Sequence, residues 1–295
     1  MKQPTVCVVG SINMDLTVTT KKMPKQGETI LGETFATYPG GKGANQAVAA
    51  ARVGANVNMI GAVGDDEFGV TLLDHLKSEG INGEGITVKS EAATGIANVI
   101  LSENDNRIIV ALGANNLVSP GLVDRHRELI KQSDVVLLQL EIPIETVIHT
   151  VKVAEEYDVP VVINPAPYQH LPDDVLTKTT YFTPNEIEAE AMKHGPLFDT
   201  IREKLIITQG NAGVQYVDNG TDRHVSGFHV NVEDTTGAGD TFNGALATQL
   251  GAGVPIAEAV QFANAAAALS VTKVGAQGGM SGKGEVEEFI RDREK

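Results

Sequence analysis

The 295-residue chain has no tryptophan, one cysteine and 4% aromatic residues, and its 23 basic residues are outnumbered by 38 acidic ones. Each scarcity excludes something. A lone cysteine, Cys7, cannot form a disulfide within the chain, so a reducing cytoplasm is the expected setting. A net charge of -15 repels phosphate backbones and anionic lipid unless cations are concentrated somewhere, and no such cluster is visible. Nucleic acid and membrane are therefore not expected partners. No apolar run approaches the ~18 residues of a membrane span, and the run at 6–9 is shorter than the ~7–15 residues of a secretory core.

Several motifs are missing too. No stretch reads G-x-x-x-x-G-K-[ST], since Gly41 and Lys42 are followed by Gly43, and Gly282 and Lys283 by Gly284. No G-x-G-x-x-G follows a strand either: the glycine pair at 41 and 43 runs on to Gln46, and the pair at 237 and 239 to Phe242. Walker-type NTPases and NAD dehydrogenases lose their main support. The seven histidines include no H-x-x-x-H spacing, which argues against zinc, and no G-x-S-x-G elbow marks a serine hydrolase.

What is present is an ordinary globular balance, 42% apolar and 21% charged. At ~150 residues per domain the length allows one large or two modest domains. Branched apolar runs at 6–9, 57–63, 135–140, 160–163, 181–183 and 205–208 have the character of buried parallel strands. Helical patterns at 44–53, 67–78, 120–132, 145–157 and 186–193 separate them, which implies an α/β sheet covered on both faces. Ligands of such sheets bind beyond the carboxyl ends of the strands, where this chain places Ser11, Asn13, Asp15, Asp65, Glu141, Asn164, Asn185 and Gly210. Two regions break the rhythm. Residues 16–38 alternate threonine with apolar residues, while 96–101 and 107–112 flank a turn at 103–106. Together they predict a small antiparallel sheet standing off the main one, serving as a lid, a dimer contact or a plain surface hairpin. A second hairpin is expected around Asp218, Asn219 and Gly220.

Two constellations carry chemistry. In DTTGAGDTFNGALATQLGAG, residues 234–253, Gly237, Ala238 and Gly239 run into an alanine-rich helix. Glycines admit close backbone approach, and the free N–H groups of a first helical turn attract an anion. Asp240 in that turn either caps the helix or acts as a base on an attacking hydroxyl beside the held phosphoryl. In PGGKGANQAVAA, residues 39–50, Lys42 and Asn45 open another small-residue helix, and their donors and acceptors suit polyhydroxyl ligands as well as anions. Asp15, on the same cleft, could accept two neighbouring hydroxyls. Each of these polar residues taken alone could equally sit in a solvated turn.

Taken together, GSINMD at 10–15, PGGKGANQA at 39–47, NPAP at 164–167, TPNEIE at 183–188 and DTTGAGDTFNGA at 234–245 resemble, in order and spacing, the ribokinase family of carbohydrate kinases. The likeness runs from Val6 to about Gly279. It implies one three-layer α/β/α domain over 1–295 with a mostly parallel central sheet and a small antiparallel β lid formed by two insertions, about 14–40 and 95–113. The lid would also pair subunits into a homodimer. The implied reaction moves the γ-phosphoryl of ATP to the 5-hydroxyl of D-ribose. By matching positions, Asn13, Asp15, Gly41, Lys42, Asn45 and Glu141 would hold the sugar, with Asp240 as general base and Gly237, Ala238 and Gly239 as anion hole. Asn185, Thr208, Gly210, Gly213, Gly239 and Asn264 would line the nucleotide site. Glu188 would meet Mg²⁺ through water. A potassium ion would be held by Asp234 and Thr236 in one loop and Ser270, Lys273, Gly275 and Gly279 in the next, with Gly279 lying where the family often has serine. The resemblance also covers kinases of fructose, nucleosides and sugar phosphates. A sugar phosphate would call for more cations than Lys42, and a nucleoside for stacking aromatics. A fructokinase remains the closest competitor within the enzyme class. A non-catalytic sugar-binding protein would have no use for the anion hole beside Asp240.

Overall fold

The structure is a computed structural model that describes residues 3–102, 105–193, 195 and 197–293, with backbone only for Asp105 and Asn106. The chain opens with strands β1 (Thr5–Val9), β2 (Asn13–Thr19) and β3 (Thr34–Gly40), then helix α1 (Lys42–Arg52), β4 (Asn56–Gly64), α2 (Glu67–Ser78), β5 (Asn82–Lys89), β6 (Gly95–Ser102) and β7 (Asp105–Ala111). Next come α3 (Pro120–Arg125), α4 (Arg127–Lys131), β8 (Val135–Leu138), α5 (Ile144–Glu156), β9 (Val161–Ile163), α6 (Asp173–Lys178) and β10 (Tyr181–Phe182). The remainder is α7 (Glu186–Met192), α8 (Phe198–Ile201), β11 (Ile206–Thr208), β12 (Gly213–Asp218), β13 (Thr221–Ser226), α9 (Ala238–Gly251), α10 (Ile256–Ser270) and α11 (Lys283–Arg293).

Six strands form the central sheet in the order β10-β9-β8-β1-β4-β5, every pair parallel. Alternation along each strand supplies two cores. Cys7, Val9, Val136 and Leu138 face α3 and α5 through Leu122, Val147 and Val151, whereas Val6, Val8, Val135 and Leu137 face α1 and α2 through Ala47, Val48, Leu72 and Leu76. This is the three-layer arrangement, and it explains why the strands read as unbroken apolar runs. A third cluster joins α9, α10 and α11 to the antiparallel sheet β11-β12-β13. The β12–β13 turn is the expected tight one, with Asn219 and Gly220 both in the left-handed region at φ 49° and 73°.

Several expectations need correction. The strand at 205–208 is not part of the parallel sheet: it pairs with β12, and the isolated bridges Phe182–Leu205 and Asn185–Thr208 link it to the end of the main sheet. The run at 135–140 stops pairing at Leu138, and the helix at 120–132 breaks at His126. Strand β5 is edge-lying, polar and glycine-bearing, and α10 is apolar over most of its surface, so neither showed a clear period. The helix expected at 186–193 is the seven-residue α7, and the described residues after it form the four-residue α8 and a 3₁₀ turn at Arg202–Lys204.

The small sheet runs β3-β2-β6-β7. Its outer pairs are antiparallel as expected, but β2 and β6 at its centre are parallel. The reason is the crossover: α1, β4, α2 and β5 all intervene, so β6 returns in the direction of β2. The turn expected at 103–106 includes Glu103 and Asn104, which lie outside the described residues.

Candidate active site

Polar side chains gather where β1, β8 and β9 end and where α1 and α9 begin. Two of these helix starts depend on glycine. Gly41, at φ 88°, precedes α1, and a Cβ there would lie 2.7 Å from the Asn13 nitrogen, so the turn after β1 can press against the helix. Gly237, at φ 78°, precedes α9, and its Cβ would meet the Ala276 carbonyl oxygen at 2.4 Å. A Cβ at Gly239, one turn position further in, would meet nothing within 4 Å, because the cleft lies there.

The first turn of α1 is tied to Glu141, which follows β8. Ser11 Oγ donates to Glu141 Oε2 at 2.6 Å, the Lys42 N–H donates to the same oxygen at 3.3 Å, and the Gly43 N–H donates to Ser11 Oγ at 3.3 Å. Asn13 Oδ1 accepts from Asn115 Nδ2 at 2.7 Å. Asp15 leans over Gly40, where a Cβ would fall 2.3 Å from its Oδ1.

Asp240 is buried in the first turn of α9 and both its oxygens accept from amides: Oδ2 from Asn45 Nδ2 and Oδ1 from Gln46 Nε2, each at 3.0 Å. Behind Gln46 stand Gln139, whose Nε2 donates to Gln46 Oε1 at 2.6 Å, and Asn164, whose Oδ1 accepts from Gln46 Nε2 at 3.2 Å. Behind Asn45 stands Gln277, whose Nε2 donates to Asn45 Oδ1 at 2.8 Å. Two neutral amides thus fix the orientation of the Asp240 carboxylate.

Charge gathers around Lys42. Burial pushes the Asp15 carboxyl up to about 7, reinforced by the negative charges of Glu141 and Asp240 and opposed by Lys42. For Lys42 burial is the largest influence and acts downward, but Asp240, Glu141, Glu188 and Asp15 together outweigh it and hold the ammonium above its ordinary value. Burial also raises the Glu188 carboxyl, against the lowering effects of the Asn185 N–H and of Lys42. A lysine among carboxylates offers donors and acceptors side by side, and a polyhydroxyl or phosphoryl ligand meets both signs of that field.

A cleft of about 390 Å³ opens beside Ala238 and Gly239, lined by Thr208, Gly210, Gly213, Phe242 and Asn264 among others. Asn264 is anchored there, Nδ2 donating to the Ser226 carbonyl at 2.9 Å. Asn185 lies just outside this lining. It caps α7 through a reciprocal pair, its Oδ1 accepting the Glu188 N–H at 2.8 Å while its own N–H donates to Glu188 Oε2 at 2.9 Å. The first turn of α9, whose N–H groups lack intrahelical partners, lines this cleft through Ala238 and Gly239 and carries Asp240 to the polar cluster of Asn45 and Gln46.

The loops before α9 and after α10 are laced by Asp234, whose Oδ1 accepts the Thr236 N–H at 2.9 Å and whose Oδ2 accepts the Gly275 N–H at 2.8 Å. Burial would raise this carboxyl, but those hydrogen bonds outweigh it and hold it low. Ser270 and Gly279 meet back to back: a Cβ at Gly279 would lie 1.9 Å from the Ser270 carbonyl oxygen. Position 279 therefore offers backbone only, and no serine fits on this backbone. Lys273 lies in the same run of turns. Among the described residues no cluster of three His, Cys, Asp or Glu could hold a metal.

Sequence reasoning left out Gln46, Gln139, Gln277 and Asn115. Gln46 was visible inside GGKGANQA. Gln139 could be guessed from its place after β8, but Gln277 and Asn115 carry no local signal, because long-range partners alone give them a role.

Residues 3–282 match the pfkB family of carbohydrate kinases. The chain is 46% identical over 294 residues to the ribokinase of Bacillus subtilis, covering 97% of this chain and 99% of that one. It is 36% identical over 287 residues to a deoxyribokinase of Salmonella typhimurium, with 92% and 94% covered. The solved structure of Arabidopsis thaliana ribokinase complexed with ribose and ATP superimposes with a TM-score of 0.88 at 30% identity, over 98% of this chain and 99% of that one.

Proposed function

The chain belongs to the pfkB family of carbohydrate kinases, and on that premise we propose that it transfers the γ-phosphoryl of ATP to the 5-hydroxyl of D-ribose, giving ribose 5-phosphate and ADP. The observation that carries the reading is the start of α9, where an amide-held carboxylate stands one residue from a glycine-flanked first turn that lines a cleft of about 390 Å³. Ribose occupies the cleft of Asn13, Asp15, Gly41, Lys42, Asn45 and Glu141, its hydroxyls shared between carboxylates and the lysine. ATP lies across Thr208, Gly210, Gly213 and Asn264, near Asn185. Asp240 takes the proton of the attacking hydroxyl, while N–H groups of Gly237, Ala238 and Gly239 receive the charge building on the moving phosphoryl. A positioned base contributes roughly 10²–10⁴ in rate and each anion-hole donor roughly 10²–10³.

Two cations belong to the proposal. Glu188, a hard oxygen donor beside Lys42, fits Mg²⁺ held through water, which would neutralise phosphate charge. The loops of Asp234, Thr236, Ser270, Lys273, Gly275 and Gly279 offer mainly carbonyl oxygens, the donor set that suits K⁺. We also place the protein in the cytoplasm, where ATP is supplied, as a homodimer joined through the four-stranded sheet acting as a lid. The deoxyribokinase relative makes 2-deoxyribose the acceptor to compare first.

The test is ADP release with ribose, 2-deoxyribose, fructose and adenosine, with and without K⁺, for wild type and Asp240→Asn. The expected outcome is preference for ribose and a loss of roughly 10²–10⁴ in kcat in the variant, which keeps the fold. Near wild-type turnover of Asp240→Asn would refute the base assignment.

A further inference from the structure

A carboxylate can only accept hydrogen bonds, and this property fixes the direction of every bond in the chain behind Asp240. Asn45 must turn its Nδ2 toward Asp240, at 3.0 Å, so its Oδ1 points away and needs a donor. Gln277 supplies it, with Nε2 at 2.8 Å, and its own Oε1 then needs a donor, which is His75 Nε2–H at 2.6 Å. Turning any one amide round would set oxygen against oxygen at the carboxylate or leave two N–H groups facing each other. Asn45 and Gln277 are both buried, so water does not replace a lost partner cheaply.

Gln277 is itself pinned. Its backbone carbonyl accepts from Arg52 Nη1 at 2.6 Å, and the same Arg52 nitrogen reaches the Met280 carbonyl at 3.1 Å. The remaining guanidinium donors of Arg52 grip Glu79 at 3.0 and 2.6 Å. One side chain from the segment between α10 and α11 is thus fixed at its main chain by α1 and at its amide by α2, and delivers a single donor to Asn45.

We infer that Gln277 is a positioning residue for Asp240: by occupying Asn45 Oδ1 it compels the Asn45 amide to present Nδ2 to the base, with His75 setting the orientation of Gln277. The inference rests on the proposed role of Asp240. Gln277 touches neither substrate nor base, so its effect is on how often the carboxylate stands correctly aimed, and it falls on kcat. A small misplacement of a reacting group is worth roughly 10²-fold.

The experiment measures kcat, the sugar KM and the melting temperature of Gln277→Leu, Gln277→Glu and His75→Ala, each alone and combined with Asp240→Asn. Gln277→Glu, which sets an acceptor against Asn45 Oδ1 and so turns the amide the wrong way, is expected to lose roughly 10–100-fold in kcat. Gln277→Leu should lose less and His75→Ala least. In the Asp240→Asn background none of the three should cost anything further, because the group they aim is gone. Equal losses in both backgrounds would overturn the inference, as would a raised sugar KM at unchanged kcat, which would mean Gln277 serves Asn45 as a sugar ligand. If Asp240→Asn is inactive while Gln277→Glu is fully active, only this inference falls. If Asp240→Asn retains turnover, the base assignment falls and takes the inference with it. Should a Gln277 variant fail to fold, His75→Ala, which leaves Asn45 and Gln277 in place, supplies the same comparison.

Discussion

At Asp15 the requirements of folding and of the proposed sugar binding pull in opposite directions. The carboxyl is pushed up to about 7, from an ordinary 3.8, by burial and by Glu141 and Asp240, with Lys42 the one influence restraining it. Its folded value lies above its unfolded one, so its contribution to stability is fully present below about 4 and is lost as pH rises through about 7. Asp15→Asn should therefore raise the melting temperature of the ligand-free protein at pH 8 and change it much less at pH 5. Sugar binding runs the other way, because only the ionised carboxylate accepts two hydroxyls. Wild-type kcat/KM for the sugar should climb with pH through about 7, and Lys42→Met should move that inflection upward. A melting temperature lowered by Asp15→Asn at pH 8 would show that the carboxylate is compensated rather than strained. Much of this residue-scale picture was legible beforehand: Asp15, Lys42, Glu141 and Asp240 stood out as charged groups beside glycines or at strand ends. The amides that orient them did not, since Gln277 reaches Asn45 across 232 positions of chain and nothing local announces it.

Among the elements, the pairing of α1 with α9 decides whether Asp240 meets its amides. The two helices cross on small residues: a Cβ at Gly244 would lie 2.4 Å from the Gln46 carbonyl oxygen and 2.7 Å from Ala49 Cβ. Gly244→Ala must part the helices and carry Asn45 and Gln46 away from Asp240. It should cost about 1–3 kcal/mol of stability, as overpacked cores do, and lower kcat as well. Gly239→Ala is the contrast, because its new methyl enters open cleft. It should keep the melting temperature and lose turnover. Calorimetry and ADP release on both variants check the pair, and a stable, active Gly244→Ala would contradict the close crossing. The starts of these two helices were readable from glycine followed by small residues, whereas their mutual approach was not, because alanine-rich faces pack equally well against many partners. The same uniformity hid α10.

Over the whole molecule, the unbroken apolar runs of β1 and β8 and the helices between strands made the three layers readable, while the small sheet was read with one wrong pairing because strand direction follows from the crossover and not from composition. That sheet carries exposed apolar residues on both faces. Register puts Asp15, Tyr38, Ala97 and Val110 on one face and Leu16, Thr37, Asn98 and Ile109 on the other, the latter continuing through Val18, Phe35 and Ile100. Phe35 is 65% exposed and Ile109 67%, on a chain whose net charge of -15 otherwise favours separation. An exposed apolar face of this kind marks an interaction surface, and a second copy of the same sheet is the partner that the proposed homodimer supplies. Sedimentation should then give twice the 31.1 kDa of the chain. Because Phe35 and Ile109 lie on the face away from Asp15, the double variant Phe35→Lys, Ile109→Lys should sediment as a monomer with its α/β core intact. If the sheet needs its partner to stay closed over the sugar, the monomer should show a raised sugar KM and faster ATP hydrolysis without sugar, as water gains access to the phosphoryl. A wild-type monomer, or a double variant that still dimerises, would remove the sheet from the interface and leave it a lid alone.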